Sequence, residues 1–297
     1  MLKEAQSRLS TVRDLIRYAV SRFTAAKLAF GHGSGTAYDE AVYLVLHTLN
    51  LPLDTLEPFL DAHALTSEIN TVLHMIERRV ELRVPAAYLT HEAWLGDYRF
   101  YVDQRVIVPR SFIAELLRDH LSPWVEDADR VNDVLELCTG SGCLAIIAAD
   151  MFSNARVDAV DISSDALAVA TQNVETYKLQ DRVRLIAGDL FEPLERKRYD
   201  LIIANPPYVP DDSMERLPQE YRHEPRLALA GGADGLDIVR RIIRQARGWL
   251  NRGGVLVVEV GHERPAVEAA FPDMRFSWLT TSAGDDAVFL LTQDQLP

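Results

Sequence analysis

From Val131 onward the chain alternates short aliphatic and β-branched runs with longer stretches of helical periodicity, and this alternation constrains the fold more than any other feature. The runs at 133–137, 156–161, 183–187, 199–204 and 255–260 read as strands, with a closing pair near 275–279 and 287–291. Helical patterns fill the gaps at about 144–152, 166–178 and 235–250. That order predicts an α/β fold in which a mostly parallel sheet is covered by helices on both faces. In such a sheet a ligand sits outside the carboxyl ends of the strands, near the point where strand order reverses. The residues that follow each strand therefore carry the functional information.

Upstream the pattern is different. Leu9, Val12, Leu15, Ile16, Ala19 and Phe23 recur at helical spacing, and Ala41, Val42, Val45, Leu46 and Leu49 do so after a glycine-rich break at 31–35. Thr36, three residues before Asp39, is spaced as a helix-capping pair. A third helix is expected from about 67 to 83, with Ile69, Val72, Leu73, Ile76 and Val80 on one face and Pro85 ending it. These stripes read as core packing, and none of the three helices carries titratable groups at catalytic spacing. Between Trp94 and Val108 the period shortens to Tyr98, Phe100, Val102, Val106 and Val108 around Gly96-Asp97 and Asp103-Gln104, which predicts a hairpin. The expected organisation is a helical substrate-recognition domain over 1–92, a hairpin connector over 93–108 and the sheet domain over 109–297.

Hydrophobic residues form 48% of the 297, enough for a sizeable core, yet no run reaches the roughly 18 apolar residues of a membrane span. The first residues alternate charged and apolar where a signal peptide needs an apolar block, so a cytoplasmic protein is expected. Cys138 and Cys143 are too few for a disulfide framework and lack the companions of a zinc site, so no metal is expected. The net charge of -13 is uneven: residues 1–125 hold 13 Lys/Arg against 15 Asp/Glu, and residues 126–297 hold 18 against 29. That balance argues against direct binding of duplex nucleic acid and suits a basic partner or a cationic cofactor.

Four consecutive strand ends carry unusual residues. After the first, Cys138, Thr139, Gly140, Ser141 and Gly142 turn into a helix, and glycine there lets the backbone approach a ligand. Alone, such a turn is equally a tight strand-to-helix connection. The second ends in Asp161, 25 residues past Glu136, where a carboxylate can accept from both hydroxyls of a ribose. Helix capping, its other possible task, is better served by Ser163 and Ser164. At the third, Asp189 can accept from an adenine amino group, and Leu190 or Phe191 can pack on the ring. The fourth ends in Asn205-Pro206-Pro207-Tyr208, the most specific signal in the chain. Consecutive prolines fix φ and donate no hydrogen bonds, so the turn presents the Pro206 carbonyl and the Asn205 side-chain oxygen as acceptors in a rigid frame. A planar amide with two N–H groups fits that pair, and Tyr208 can stack on its face.

Over essentially its whole length the sequence resembles the class I methyltransferases, with their Rossmann-like sheet, and within them the HemK-type protein-glutamine methyltransferases. The helical N-terminal region, the hairpin leading to Val108-Pro109-Arg110, the Thr139-Gly140-Ser141-Gly142 loop, Val160-Asp161-Ile162-Ser163, Asn205-Pro206-Pro207-Tyr208 and Glu224-Pro225-Arg226-Leu227-Ala228-Leu229 stand in family order. Gly231-Gly232-Ala233-Asp234-Gly235-Leu236 follows them. The resemblance implies S-adenosyl-L-methionine as cofactor, held by Cys138 to Gly142 and Asp161, with Leu190, beside Asp189, next to its adenine. It implies that Asn205 touches both ligands and that Asn205 to Tyr208 hold the target amide, with Asn205, Pro206 and Tyr208 taking part in the chemistry.

Two subgroups share these features. One methylates the Gly-Gly-Gln glutamine of release factors; the other methylates a glutamine of the third large-subunit ribosomal protein. Phe30-Gly31-His32-Gly33, Asp39-Glu40-Ala41-Val42, the stretch from Glu136 to Cys143 and Tyr221-Arg222-His223-Glu224-Pro225 are similar to the second. The first typically continues Pro-Arg with Pro-Glu-Thr-Glu, whereas this chain reads Ser111-Phe112-Ile113-Ala114. Cys138 also stands where the general methyltransferase loop has its first glycine. The implied substrate is thus a basic ribosomal protein. A nucleic-acid amino methyltransferase uses similar Asn-Pro-Pro-aromatic turns but predicts a basic face and a base-reading insertion, which this sequence lacks. A non-catalytic assembly factor would need neither Asp161 nor the 205–208 turn.

Overall fold

The computed structural model describes residues 2–195 and 197–297, and the chain divides into two compact units. One comprises Met1–Ala93 with Pro218–His223; the other comprises Trp94–Leu217 with Glu224–Pro297. The hairpin region from Trp94 onward thus groups with the sheet, and six later residues group with the helices.

The helical unit contains α1 (Leu2–Arg8), α2 (Val12–Ala25), α3 (Ala37–Thr48), α4 (Thr66–Glu81) and α5 (Ala86–Thr90). Side chains set the helix starts. Thr11 accepts from the Asp14 amide while Asp14 accepts from the Thr11 amide, a reciprocal cap on α2. Thr36 accepts from the Asp39 amide at 3.1 Å and starts α3. Leu15, Ile16, Ala19 and Phe23 of α2 pack with Leu44 and Val45 of α3 and with Ile69, Val72, Leu73 and Ile76 of α4. The α4 helix stops at Glu81, short of the expected 83, and Arg83 takes a left-handed φ of 58°. Within this apolar frame Arg79 is wholly buried, donating to Glu40 at 2.6 Å and to the Ala29 carbonyl at 3.0 Å. Glu220 accepts from the Ala29 amide at 3.1 Å, from Arg83 at 3.2 Å and from Arg79 at 3.4 Å.

β1 (Glu92–Leu95) and β2 (Tyr98–Tyr101) pair around Gly96-Asp97. The strand pattern at Val106 and Val108 does not extend this hairpin. Val106 donates its amide to the Asp103 carbonyl at 3.1 Å, and Val108 donates to the Glu224 carboxylate at 2.9 Å, so neither amide enters a ladder.

The remainder of the sheet unit runs α6 (Ile113–Arg118), β3 (Asp133–Leu137), α7 (Cys143–Met151), β4 (Arg156–Asp161), α8 (Ser164–Thr176), β5 (Val183–Ala187), β6 (Tyr199–Ala204), α9 (Asp211–Met214), α10 (Asp237–Trp249), β7 (Leu250–Glu259), α11 (Arg264–Ala270), β8 (Ser277–Thr281) and β9 (Gly284–Thr292). The seven strands lie in the order β5-β4-β3-β6-β7-β9-β8; β3 to β7 are parallel, and β9 is antiparallel to β7 and β8. This is the expected α/β sheet. β7 begins at Leu250, before the apolar run, because Leu250 already pairs with Tyr199 ahead of a register shift. α7 is buried from Cys143 through Ala149, and α10 buries Val239, Ile242, Ile243 and Ala246. Register aligns the strand ends: Leu137 pairs with Val160 and Ala204, Ala204 with Val258, and Asp161 with Ala187. Residues 138, 161, 188, 205 and 259 therefore lie along one edge of the sheet.

Candidate active site

Strand order reverses between β3 and β6, and an open cleft lies there, at the place where such sheets hold ligands. From the β3 loop Cys138 and Gly140 line it. From the β4 end come Asp161, Ile162 and Ser163, and from the β5 end Gly188, Asp189 and Leu190. Asn205 and Pro207 follow β6, while Arg105, Val106 and Ile107, then Pro225, Leu227 and Ala228, and finally Ile238 and Arg241 complete the walls.

Thr139, Ser141 and Gly142 stand behind that surface. The buried Thr139 hydroxyl bonds Glu136, the Ser141 carbonyl accepts from Asn173 at 2.9 Å, and a Cβ on Gly142 would meet that of Ala170 at 3.2 Å. They shape the loop. Cys138 and Leu190 both adopt left-handed backbone, with φ of 60° and 51°. That conformation is costly for side chains other than glycine, and such strain gathers at ligand sites.

Asp161 is organised by backbone donors. One carboxylate oxygen accepts from the Gly140 amide and the other from the Ser163 amide, both at 2.8 Å. The cap of α8 is instead Ser163, whose hydroxyl accepts from the Ala166 amide at 3.2 Å. Burial raises the Asp161 pKa even though those amides favour the charged form. Asp189 pairs with Arg241 of α10 at 2.9 Å. The arginine thus occupies part of the acceptor capacity of the Asp189 carboxylate.

Asn205 is half-buried at the cleft, Pro206 is buried, and Pro207 reaches the cleft wall. Tyr208 lies outside the lining. Its hydroxyl donates to Glu259 at 3.4 Å, and a Cβ on Gly261 would meet its ring at 2.7 Å. The loop that follows closes on itself: Val209 donates to the Leu229 carbonyl at 2.8 Å and Gly231 to the Val209 carbonyl at 2.9 Å.

Sequence reasoning stopped at the fourth strand end and missed the fifth. Glu259 is 2% exposed and accepts from the Ser111 hydroxyl at 2.6 Å and from the Phe112 amide at 2.9 Å. A single acid inside Val255-Leu256-Val257-Val258-Glu259-Val260 was the available signal. Arg241, Arg105 and Ile107 were also missed. So was the pairing of Arg110 with Glu224, two nitrogens on two oxygens at 2.5 and 2.8 Å, which fixes the segment after the hairpin.

Burial pushes the Cys143 thiol up to about 12 and raises the Cys138 thiol further, with Asp161 adding to the latter shift. Both thiols are thus neutral small side chains at physiological pH. Glu136, buried at the end of β3, is pushed up to about 8 by desolvation against the opposing bonds from Thr139 and the Ala145 amide. Among the described residues no group of three His, Cys, Asp or Glu is placed to hold a metal, and no helix is long and apolar enough to cross a membrane.

Residues 114–220 match the Methyltransferase small domain family. Over the full length the chain is 66% identical to a ribosomal protein uL3 glutamine methyltransferase of Burkholderia pseudomallei, covering 97% of this chain and 96% of that protein. It is 62% identical to the Bordetella pertussis protein of that name, covering 100% and 99%. It is 58% identical to one from Neisseria meningitidis, covering 100% and 97%. Among solved structures, the hMettl16 catalytic domain in complex with a 3'UTR hairpin shares the fold at 14% identity, with a TM-score of 0.50 over 78% of this chain and 84% of that one.

Proposed function

The chain belongs to the family of ribosomal protein uL3 glutamine methyltransferases, and from that premise we propose that it transfers a methyl group from S-adenosyl-L-methionine to the side-chain amide nitrogen of a glutamine in uL3. The observation that carries this reading is the rigid 205–208 turn at the edge of the cleft, level with Asp161 in the sheet register.

The residues present fit the cofactor. Each Asp161 oxygen holds one backbone amide and keeps acceptor capacity for a ribose hydroxyl. Leu190, Ile162 and Val106 offer apolar surface for an adenine, beside Asp189. Acidic groups at the cleft suit a cationic sulfonium. When bound, the cofactor supplies an activated methyl, which leaves the protein the work of positioning.

A glutamine amide nitrogen is a poor nucleophile because its lone pair is delocalised into the carbonyl. Asn205 Oδ1 and the Pro206 carbonyl accept the two amide hydrogens, and Tyr208 stacks on the amide plane. The two acceptors draw positive charge onto the N–H groups and stabilise the charge that develops as the methyl arrives. The methylated amide is acidic enough to lose its proton to water, so no general base is needed. The helical unit recognises the protein surface around the target, and the acidic residues of 126–297 favour a basic partner, giving a salt-sensitive encounter in the cytoplasm.

The test is competition. Purified protein, labelled cofactor, uL3 and a release factor are mixed, and the added methyl is located by mass spectrometry. Label on a uL3 glutamine is expected; preferential labelling of the release factor overturns the substrate and leaves the chemistry. Asn205→Ala should lose at least about 100-fold in turnover, the scale of one well-placed transition-state hydrogen bond, with a much smaller loss of cofactor affinity. Near-normal methylation by that variant would show that Asn205 does not hold the amide.

A further inference from the structure

An aromatic ring can rotate about its last side-chain bond in a broad, shallow well, so Tyr208 alone does not define the plane on which an amide stacks. Three neighbours hold the residue in different ways. Gly261 lies against the ring, where a Cβ would come within 2.7 Å, and limits its rotation, while Gly235 lies against the Tyr208 carbonyl, where a Cβ would come within 2.3 Å, and holds the backbone. The third is Glu259, whose Oε1 accepts from the Tyr208 hydroxyl; that oxygen lies on the rotation axis, so the bond fixes where the ring points. Both of its other donors, the Ser111 hydroxyl and the Phe112 amide, fall on Oε2. A carboxylate that only fastened the 111–112 segment would need one oxygen, and burying it costs free energy that an apolar side chain at the end of β7 would avoid. The second oxygen is directed at the residue expected to stack on the substrate. At 3.4 Å it is a long hydrogen bond.

The 111–112 segment is itself fixed to the cofactor wall. Arg105, Val106 and Ile107 line the cleft just before it, and Glu224, next to the lining residue Pro225, binds the Val108 amide and the Arg110 guanidinium. We propose that Glu259 is a positioning residue for methyl transfer: by holding the hydroxyl end it ties the direction of the Tyr208 ring, and with it the place of the face on which the target amide stacks, to the wall that holds the cofactor. This inference rests on the assignment of the 205–208 turn to the amide.

The experiment compares Glu259→Gln, Tyr208→Phe and the double variant, each assayed for kcat with uL3 and for cofactor affinity by calorimetry. Glutamine keeps an oxygen for Ser111 and Phe112 but removes the charged acceptor for the Tyr208 hydroxyl, leaving only a neutral NH2 donor toward the phenol oxygen. Glu259→Gln and Tyr208→Phe should each lower kcat roughly tenfold, the scale of one hydrogen bond to a charged group, while cofactor affinity holds. The double variant should lose no more than either single one, because both break one link. Gly261→Ala, which would push a Cβ into the ring and strain the backbone at φ 55°, should lower kcat as well. Full kcat in Glu259→Gln or Tyr208→Phe overturns the inference, as do multiplied losses in the double variant or a cofactor affinity that falls in step with activity. Should Glu259→Gln fail to fold, Tyr208→Phe and Gly261→Ala decide alone, and retention of kcat by either overturns it. Asn205→Ala runs alongside: activity there sinks the site assignment itself, whereas an inactive Asn205→Ala beside a fully active Glu259→Gln sinks only the role of Glu259.

Discussion

In the helical unit Arg79 is fully enclosed with Glu40 and Glu220, and Arg83 joins from the rim; in the sheet unit Glu136 and Glu259 are just as hidden and Asp161 is half-buried at the cleft, but hydroxyls and backbone amides are their donors. The helical cluster supplies its own counter-charge. Burial raises Glu40 against the pull of Arg79, whereas on Glu220 the amide of Ala29 and the two arginines outweigh burial and hold the carboxyl below its usual range. Burial raises all three strand-end acids. An internally neutralised cluster needs only the fold to explain it. A buried acid without a cation of its own, at the edge where strands end, points outward to a ligand, to a proton or to a neighbour it must steer.

The comparison breaks most visibly at Arg79. Arg79→Met strands Glu40 without its guanidinium partner, leaves Glu220 with Arg83 alone, and should cost about 3–5 kcal/mol of unfolding free energy in a urea titration of the full chain. Adding Glu40→Leu and Glu220→Leu should recover much of that loss, since apolar replacement of a whole buried ion cluster is often neutral. A small loss from Arg79→Met would mean that water already solvates the cluster. At Asp161 the expectation reverses: Asp161→Ala should weaken binding of S-adenosyl-L-methionine by roughly 1–3 kcal/mol and cost less stability than Arg79→Met does. Unchanged calorimetric affinity would remove Asp161 from the cofactor site. Weaker still is Arg241→Leu, which breaks a pair that is about one-third exposed on each side and should cost under about 1 kcal/mol of stability, vanishing in high salt.

The difference between the two regions also separates what was legible in the sequence from what was not. Strands 133–137, 156–161, 183–187 and 199–204 match their observed bounds because each is a short apolar run between polar turns, a local signal. The residues at those four ends were legible for the same reason, as each follows its strand directly. Glu259 with Ser111 and Glu224 with Arg110 are separated by 148 and 114 residues, and side-chain pairings over such distances leave no period to read. Arg79 fell next to the apolar stripe of α4 and reads there as an ordinary exposed helix residue. Nothing in the composition of 218–223 marks it as part of the helical unit, since Glu220 within it is recognised only through Arg79, Arg83 and the Ala29 amide.

Glu136 gives the finest test, because its replacement should change almost nothing at the acid end of its titration window and more only as pH rises. With its carboxyl pushed up to about 8, the folded protein carries Glu136 mostly as the neutral acid at pH 7, hydrogen-bonded to Thr139. In the unfolded chain a glutamate titrates at about 4.3. Between about 4.3 and 8 the folded chain therefore holds a proton that the unfolded chain has released, so the stability from this group is complete below that window and is lost as pH rises through it. Glu136→Gln has a similar shape and no proton to lose. Urea titrations across this range should show the variant level with the parent near the acid end and gaining on it steadily, with the difference flattening above about 8. A difference that stays flat across the range would mean that Glu136 is ionised in the fold, with a counter-charge that the strand-end arrangement does not supply, and it would then belong with Glu40 and Glu220 rather than with Asp161 and Glu259.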